Sequence, residues 1–307
     1  DAAMSSAQYL LALPEIYLTT VVCVLLLVES IWGEKRPGLT GLLAFVSLIL
    51  GGVLTALFVH APERTVIFSG TYVADELSVV LKLLGFLFVA IALLYSRSYQ
   101  AERNIIRGEY YVLAITALLG VFVLASANSL LTVYIGVELL ALSVYALVAF
   151  DRESGVAAES AMKYFVLGAI ASGALLYAMS IIYGLTGTLS LDQIADVLQS
   201  RMSLGVVLGL VFIVVAVAFK LGAVPFHMWL PDVYHGAPTS VTLFLATAPK
   251  LAYFALALRL LGHGLGDAVE EWTAMLSALA VLTLVVGKVG GMAQTNRKRK
   301  LAVSTVA

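Results

Sequence analysis

The chain has 307 residues, 61% hydrophobic and 12% charged, with a mean hydropathy of +1.01. A soluble domain carries about 45–50% apolar and about 25% charged residues, so this composition describes a polytopic membrane protein. A formal net charge of −1 offers no basic surface for nucleic acid. The one cysteine, Cys23, excludes an internal disulfide and a cysteine-ligated metal cluster. The four histidines (His60, His227, His235 and His263) lack zinc-type spacing. There is no Walker or dinucleotide fingerprint, so no metal, cofactor or nucleotide site is expected in the chain itself.

A membrane span needs about 20 mostly apolar residues. Nine stretches qualify, near residues 9–32, 39–60, 76–96, 110–127, 129–150, 160–184, 204–230, 239–262 and 272–293. The first is not a cleavable signal: Pro14-Glu15 opens it, no basic segment precedes it, and Glu29 stands near its end. The short link Asn128-Ser129 makes the fourth and fifth spans antiparallel neighbours. The long link after the sixth span, TGTLSLDQIADVLQSRMS, predicts a short surface helix starting at Ser190 or Asp192. The expected fold is therefore all-α, a bundle of about nine transmembrane helices.

The basic residues set the orientation. Links after odd-numbered spans carry ten: Lys35, Arg36, Arg97, Arg103, Arg107, Arg152, Arg297, Lys298, Arg299 and Lys300. Links after even-numbered spans carry three: Arg64, Arg201 and Arg259. This predicts a multi-pass protein with its N-terminus on the outer, periplasm-like face and the RKRK cluster in the cytoplasm.

Five lysines remain, all inside apolar stretches: Lys82, Lys163, Lys220, Lys250 and Lys288. So does one acid, Glu138. Lys82 and Lys288 lie within about two turns of a span end, where a lysine stem can reach the headgroups. Lys163 lies about one turn into the sixth span, and depth alone leaves it open between reaching the surface and acting as a functional cation. Glu138 is roughly 13 Å deep at about 1.5 Å per residue from Ser129. Each charge at a helix centre costs about 2.5–3.5 kcal/mol, so Glu138, Lys220 and Lys250 must face the bundle interior. Static salt bridges between helices are one reading of the three.

The other reading is a proton conduit. Burial disfavours the charged form of a lysine and a nearby carboxylate restores it. A Glu138–Lys220 pair that is made and broken would toggle the proton on Lys220, and Lys250 would receive it. Pro225 after Lys220 and Pro249 before Lys250 interrupt their helices and free backbone groups, a pattern tolerated where backbone is buried in protein or lines a hydrated cavity. His227 is a candidate relay or support for the break, with packing as its bland alternative. Asp232 reads as a cap or loop anchor. The small residues Gly168, Ala169, Ala171, Ser172, Gly173 and Ala174 form a close-packing surface. Trp32, Trp229 and Trp272 read as interface anchors.

Three segments carry a resemblance: VYIGVELLALSVYALVAF, ESAMKYFVLGAIASGALLYAMSIIYGLTGTL and FKLGAVPFHMWLPDVYHGAPTSVTLFLATAPKLAYFALALRLL. They resemble the antiporter-like membrane subunits of respiratory complex I, and PDVYHGAPTSVTLF favours the subunit N type over the L and M types. The match is clear over residues 70–307. The resemblance implies that Glu138, Lys220 and Lys250 are the family's proton-relay residues, joined by Lys163 of the MKYF motif. It implies proton translocation driven by quinone reduction in partner subunits of NADH:quinone oxidoreductase, in contact with other membrane subunits and the bilayer. NADH, FMN, iron–sulfur clusters and quinone are then expected in those partners. The implied architecture is an N-terminal part (residues 1–108), one complete five-helix unit of an inverted repeat with a broken seventh helix (109–262), and the start of a second unit (263–307). The family's tenth helix should begin where this sequence stops, and Asp1 replaces a starting methionine, so the expectation is a truncated chain or a shortened relative. The alternatives are a subunit of a multisubunit Na+/H+ antiporter, which shares the Glu–Lys pattern, and a structural scaffold with static ion pairs.

Overall fold

A computed structural model describes residues 6–306, except 34, 37, 62 and 200–202; Arg201 of the orientation argument lies outside the described residues. In chain order the helices are α1 (Ser6–Leu11), α2 (Leu13–Trp32), α3 (Leu39–Phe58), α4 (Glu76–Glu102), α5 (Glu109–Ala125), α6 (Leu130–Val148) and α7 (Gly155–Thr186). They continue as α8 (Leu191–Leu198), α9 (Leu204–Leu221), α10 (Trp229–Gly236), α11 (Thr239–Leu245), α12 (Ala248–Ala257), α13 (Val269–Ala293) and α14 (Arg297–Val306). A π-helical segment, Leu258–Gly264, extends α12.

Among the described residues, eight helical segments are long and apolar enough to cross a membrane, and the 17-residue α5 is a shorter apolar helix. Each of the nine stretches read from hydropathy contains a helix, with 204–230 stopping at Leu221 and 239–262 interrupted after Leu245. The surface helix is also present as α8, starting after Ser190. Large apolar side chains such as Leu27, Val46, Leu57, Ile170, Val285 and Val289 point outward, as a lipid or partner-facing surface requires.

One element is absent from the sequence reading. Strands β1 (Thr65–Ile67) and β2 (Tyr72–Ala74) form an antiparallel hairpin between α3 and α4, with Val66 opposite Val73. Its tip uses positive φ at Phe68, Ser69 and Gly70. The hairpin continues onto the α5–α6 link: Val73 N–H donates to the Ser126 carbonyl and Asn128 N–H to the Thr71 carbonyl. The Asn128 side chain adds a bond to the Gly70 carbonyl and accepts one from Arg64. The four-residue link between α5 and α6 (126–129) is thus also a docking edge for the hairpin.

The chain forms two compact units, residues 1–147 with 239–255, and residues 148–238 with 256–307. In the first, α5 and α6 meet at backbone distance. A Cβ on Gly120 would stand 2.7 Å from the Leu140 nitrogen, so only glycine permits the crossing that carries Glu138. In the second, α7 packs most extensively on α9. Gly168, Ala171 and Ser172 are buried, whereas Ala169 and Gly173 are exposed, so the small-residue surface is narrower than its run in the sequence.

Candidate functional site: buried lysines and a broken helix

Helix α9 ends at Leu221, before Pro225. Gly222 adopts φ +80 and caps the helix, and the Ala223 N–H donates to the Ala218 carbonyl. A side chain at Gly222 would also collide with Leu230. Pro225 stands within the turn that follows, which keeps the chain from resuming a helix until Trp229.

The break leaves backbone groups that a membrane cannot hydrate. Trp229 Nε1–H donates to the Phe219 carbonyl at 3.0 Å, and the Val224 N–H donates to Thr283 Oγ1 of α13 at 3.0 Å. Trp229 is 4% exposed and stacks on Tyr164 with ring centroids 4.5 Å apart. This corrects its reading as an interface anchor: it seals the break. His227 takes no such bond, and its Nδ1 is buried without a hydrogen-bond partner among the described residues.

Lys220 lies in the last turn of α9 and is 3% exposed. Its ammonium donates to Ser172 Oγ of α7 at 3.3 Å. Ser172 therefore carries chemistry that a small-residue packing stripe did not suggest. The position also suits a cation, because the carbonyl end of α9 carries partial negative charge.

Lys250 has the opposite setting. It is the third residue of α12, after a two-residue interruption that separates α12 from α11, and its N–H bonds back to the Thr247 carbonyl. Pro249, buried before it, fits the first turn of a helix, where no N–H is required. An ammonium here meets the amide end of a helix, the less favourable end for positive charge. Glu138 is half-buried on α6, and its Oε1 is buried with no hydrogen-bond partner among the described residues. Glu138 and Lys250 belong to the first unit, Lys220 and Lys163 to the second.

Lys163 is partly exposed and bridges Glu159 at 2.9 Å and Asp232 at 3.1 Å. Asp232 also accepts from Arg299 at 2.7 Å. It lies inside α10 and makes no cap, so it is an anchor tying α10 to α7 and α14. His263 and Asp192 form a further pair at 2.6 Å between the π-helical segment and α8.

Lys82 departs most from expectation. It does not reach the surface: it is 1% exposed, bridges Glu15 at 2.7 Å and donates to the Tyr72 hydroxyl at 2.7 Å. Depth counted along one helix cannot reveal that the hairpin covers that helix end. Lys288, by contrast, is exposed. Glu15 is thus a further acid inside a span, and sequence reasoning passed over it as the opening of α2.

Comparison with known proteins decides the family. Residues 127–307 match the family described as NADH:quinone oxidoreductase/Mrp antiporter, TM. The chain belongs to that family. It is 51% identical over 306 residues to the NADH-quinone oxidoreductase subunit N of Alkalilimnicola ehrlichii, covering 98% of this chain and 62% of that relative. The protein of the same name from Thioalkalivibrio sulfidiphilus is 49% identical over 303 residues, covering 98% and 63%. A solved respiratory complex I of Thermus thermophilus contains a similar chain, with a TM-score of 0.80 and 32% identity over 96% of this chain and 62% of that one. An archaeal membrane-bound sulfane sulfur reductase contains another, with a TM-score of 0.80 and 25% identity. The chain thus spans a little under two thirds of the length of the relatives it matches.

Proposed function

We propose that the protein is a proton-translocating membrane subunit of an NADH:quinone oxidoreductase, of the subunit N type, with residues 109–262 as its proton-carrying unit. It performs no redox chemistry. NADH, FMN, iron–sulfur clusters and quinone belong to partner subunits, and neighbouring membrane subunits and lipid surround it in a bacterial inner membrane, N-terminus outward. The observation that carries this reading is Lys220, 3% exposed at the end of a helix that stops inside the membrane, with a neutral hydroxyl as one of its partners.

In the proposed relay Lys220 takes and gives the proton, Glu138 sets how tightly it is held, and Lys250 receives it. Lys163, held by Asp232, adjusts the relay from the cytoplasmic side. Pro225 and Pro249 keep the two breaks open, and His227 lies beside the first. The relatives' names favour this over a multisubunit Na+/H+ antiporter, although the family description covers both.

The test uses the full-length subunit in its assembled complex, reconstituted in vesicles. Glu138→Gln and Lys220→Ala are expected to lower the protons moved per electron while assembly persists. Lys220→Arg should not restore pumping, because arginine does not release its proton. Normal pumping by an assembled complex carrying either change would sink the relay. Loss of assembly with normal pumping per assembled complex would indicate static ion pairs, and sodium-dependent flux would indicate the antiporter.

A further inference from the structure

The first unit holds a titratable cluster that the relay does not use. Glu15 on α2, Tyr72 on β2 and Lys82 on α4 are in mutual contact. Lys82 Nζ is 2.7 Å from Glu15 Oε1 and 2.7 Å from the Tyr72 hydroxyl, which in turn reaches Glu15 Oε2 at 3.1 Å and the Leu11 carbonyl at 2.9 Å. Lys82 also lies 5.0 Å from the Tyr72 ring centre. The cluster is not sealed. A cavity of about 420 Å³, lined by Glu15, Thr19, Thr20, Thr71, Tyr72 and Thr132 among others, opens beside it. The Glu15 side chain keeps 13% exposure where Lys82 keeps 1%. The carboxylate is therefore the group a proton from outside meets first, with the ammonium behind it.

We infer that Glu15, Tyr72 and Lys82 form a proton-exchange site at the hairpin end of the first unit, reached through this cavity, whose wall also includes Ala12, Ile16, Phe68 and Val123. The ligand is the proton itself. The phenol is placed to pass it. When Lys82 gives a proton to the Tyr72 oxygen, the phenol proton, rotated from the Leu11 carbonyl toward Glu15, moves to Oε2. One N–H and one O–H bond break, two O–H bonds form, and the ion pair becomes a neutral pair at unchanged net charge. Burial, then the Glu15 carboxylate, push Tyr72 up from the usual phenol range, so it remains a donor between transfers. The surrounding charges are few. Asp75 caps α4 and is committed to Ser78, Arg64 is held by Asn128, and α5 and α6 offer only Val123 and Thr132 to the cavity.

The site is tested without turnover, so its failure is separate from any failure of the relay. A membrane-permeant carbodiimide, which reacts with protonated carboxyl groups, is applied to the full-length protein in its membrane between about pH 9 and about pH 5. The label is mapped by mass spectrometry, with Glu15→Gln as the blank. Labelling of Glu15 should rise as pH falls. Tyr72→Phe keeps the Lys82–Glu15 contact but removes the donor to Oε2, so labelling at a given pH should increase by about tenfold. Glu15 unlabelled across the range, or a profile unchanged by Tyr72→Phe, would overturn the proposal and leave a static staple between α2, α4 and the hairpin.

Discussion

Lys82 in the first unit and Lys220 in the second are both almost fully buried, yet their partners differ in kind. Lys82 faces a carboxylate and a phenol at 2.7 Å each, whereas Lys220 donates to a serine hydroxyl at 3.3 Å, at the carbonyl end of a helix. A carboxylate neutralises a buried ammonium outright. A hydroxyl and a helix end stabilise the charged form more weakly, and lose little when the charge leaves. Removing the partner therefore differs at the two places: at Lys82 the lost partner is a charge, and at Ser172 it is one neutral hydrogen bond.

The sharpest way to break this contrast is Lys82→Met. It leaves Glu15 beside a buried phenol without its cation, and breaking a buried pair in this manner costs about 3–5 kcal/mol. The purified full-length protein should lose thermal stability heavily, and Glu15→Gln combined with Lys82→Met should recover most of it. Ser172→Ala, measured in the same assay, should cost far less, because it removes one hydrogen bond to Lys220 and no charge. Equal losses at the two sites would show that burial alone, and not the partner, sets the energetics.

A smaller effect is expected at the break beside Lys220. Thr283→Val keeps the side-chain shape but removes the acceptor for the Val224 N–H, and a buried donor left unsatisfied costs about 1–3 kcal/mol. The loss should appear as faster amide exchange at Val224 and its neighbours. Unchanged exchange there would mean that the break does not depend on α13.

Much of this was legible in the chain, and the limits have physical causes. Nine spans followed from length and hydropathy, because a bilayer imposes both on each helix independently of its neighbours. α8 followed from Ser190 and the polar link around it. The break in α9 was legible from Pro225, although the helix stops at Gly222, which supplies the left-handed turn. The hairpin was not legible, because two three-residue strands carry too short a pattern for alternation to register. The environments of Lys82, Ser172 and Trp229 were not legible either. Depth along a helix predicts that a charge needs a partner, but the partner is chosen by packing between segments far apart in the chain. Glu15 stands out by its position directly after Pro14 in an apolar run, but nothing in that run names Lys82.

The smallest expected effect concerns Asp232, where the same ion-pair chemistry occurs near solvent. Asp232 accepts from Lys163 and Arg299, joining α10 to α7 and α14, yet the Lys163, Asp232 and Arg299 side chains are 46%, 32% and 40% exposed. Exposed pairs contribute little, and what they contribute is screened by salt. Asp232→Asn should therefore lower thermal stability only slightly at low ionic strength. The difference should vanish near 1 M salt, where the screening length falls to about 3 Å. The Lys82–Glu15 pair, whose side chains are only 1% and 13% exposed, should show a much weaker salt dependence in the same titration. If Asp232→Asn proved as costly and as insensitive to salt as Lys82→Met, the charges holding α10 would be shielded from water in the assembled protein, and the latch would stand with the buried pair of the first unit.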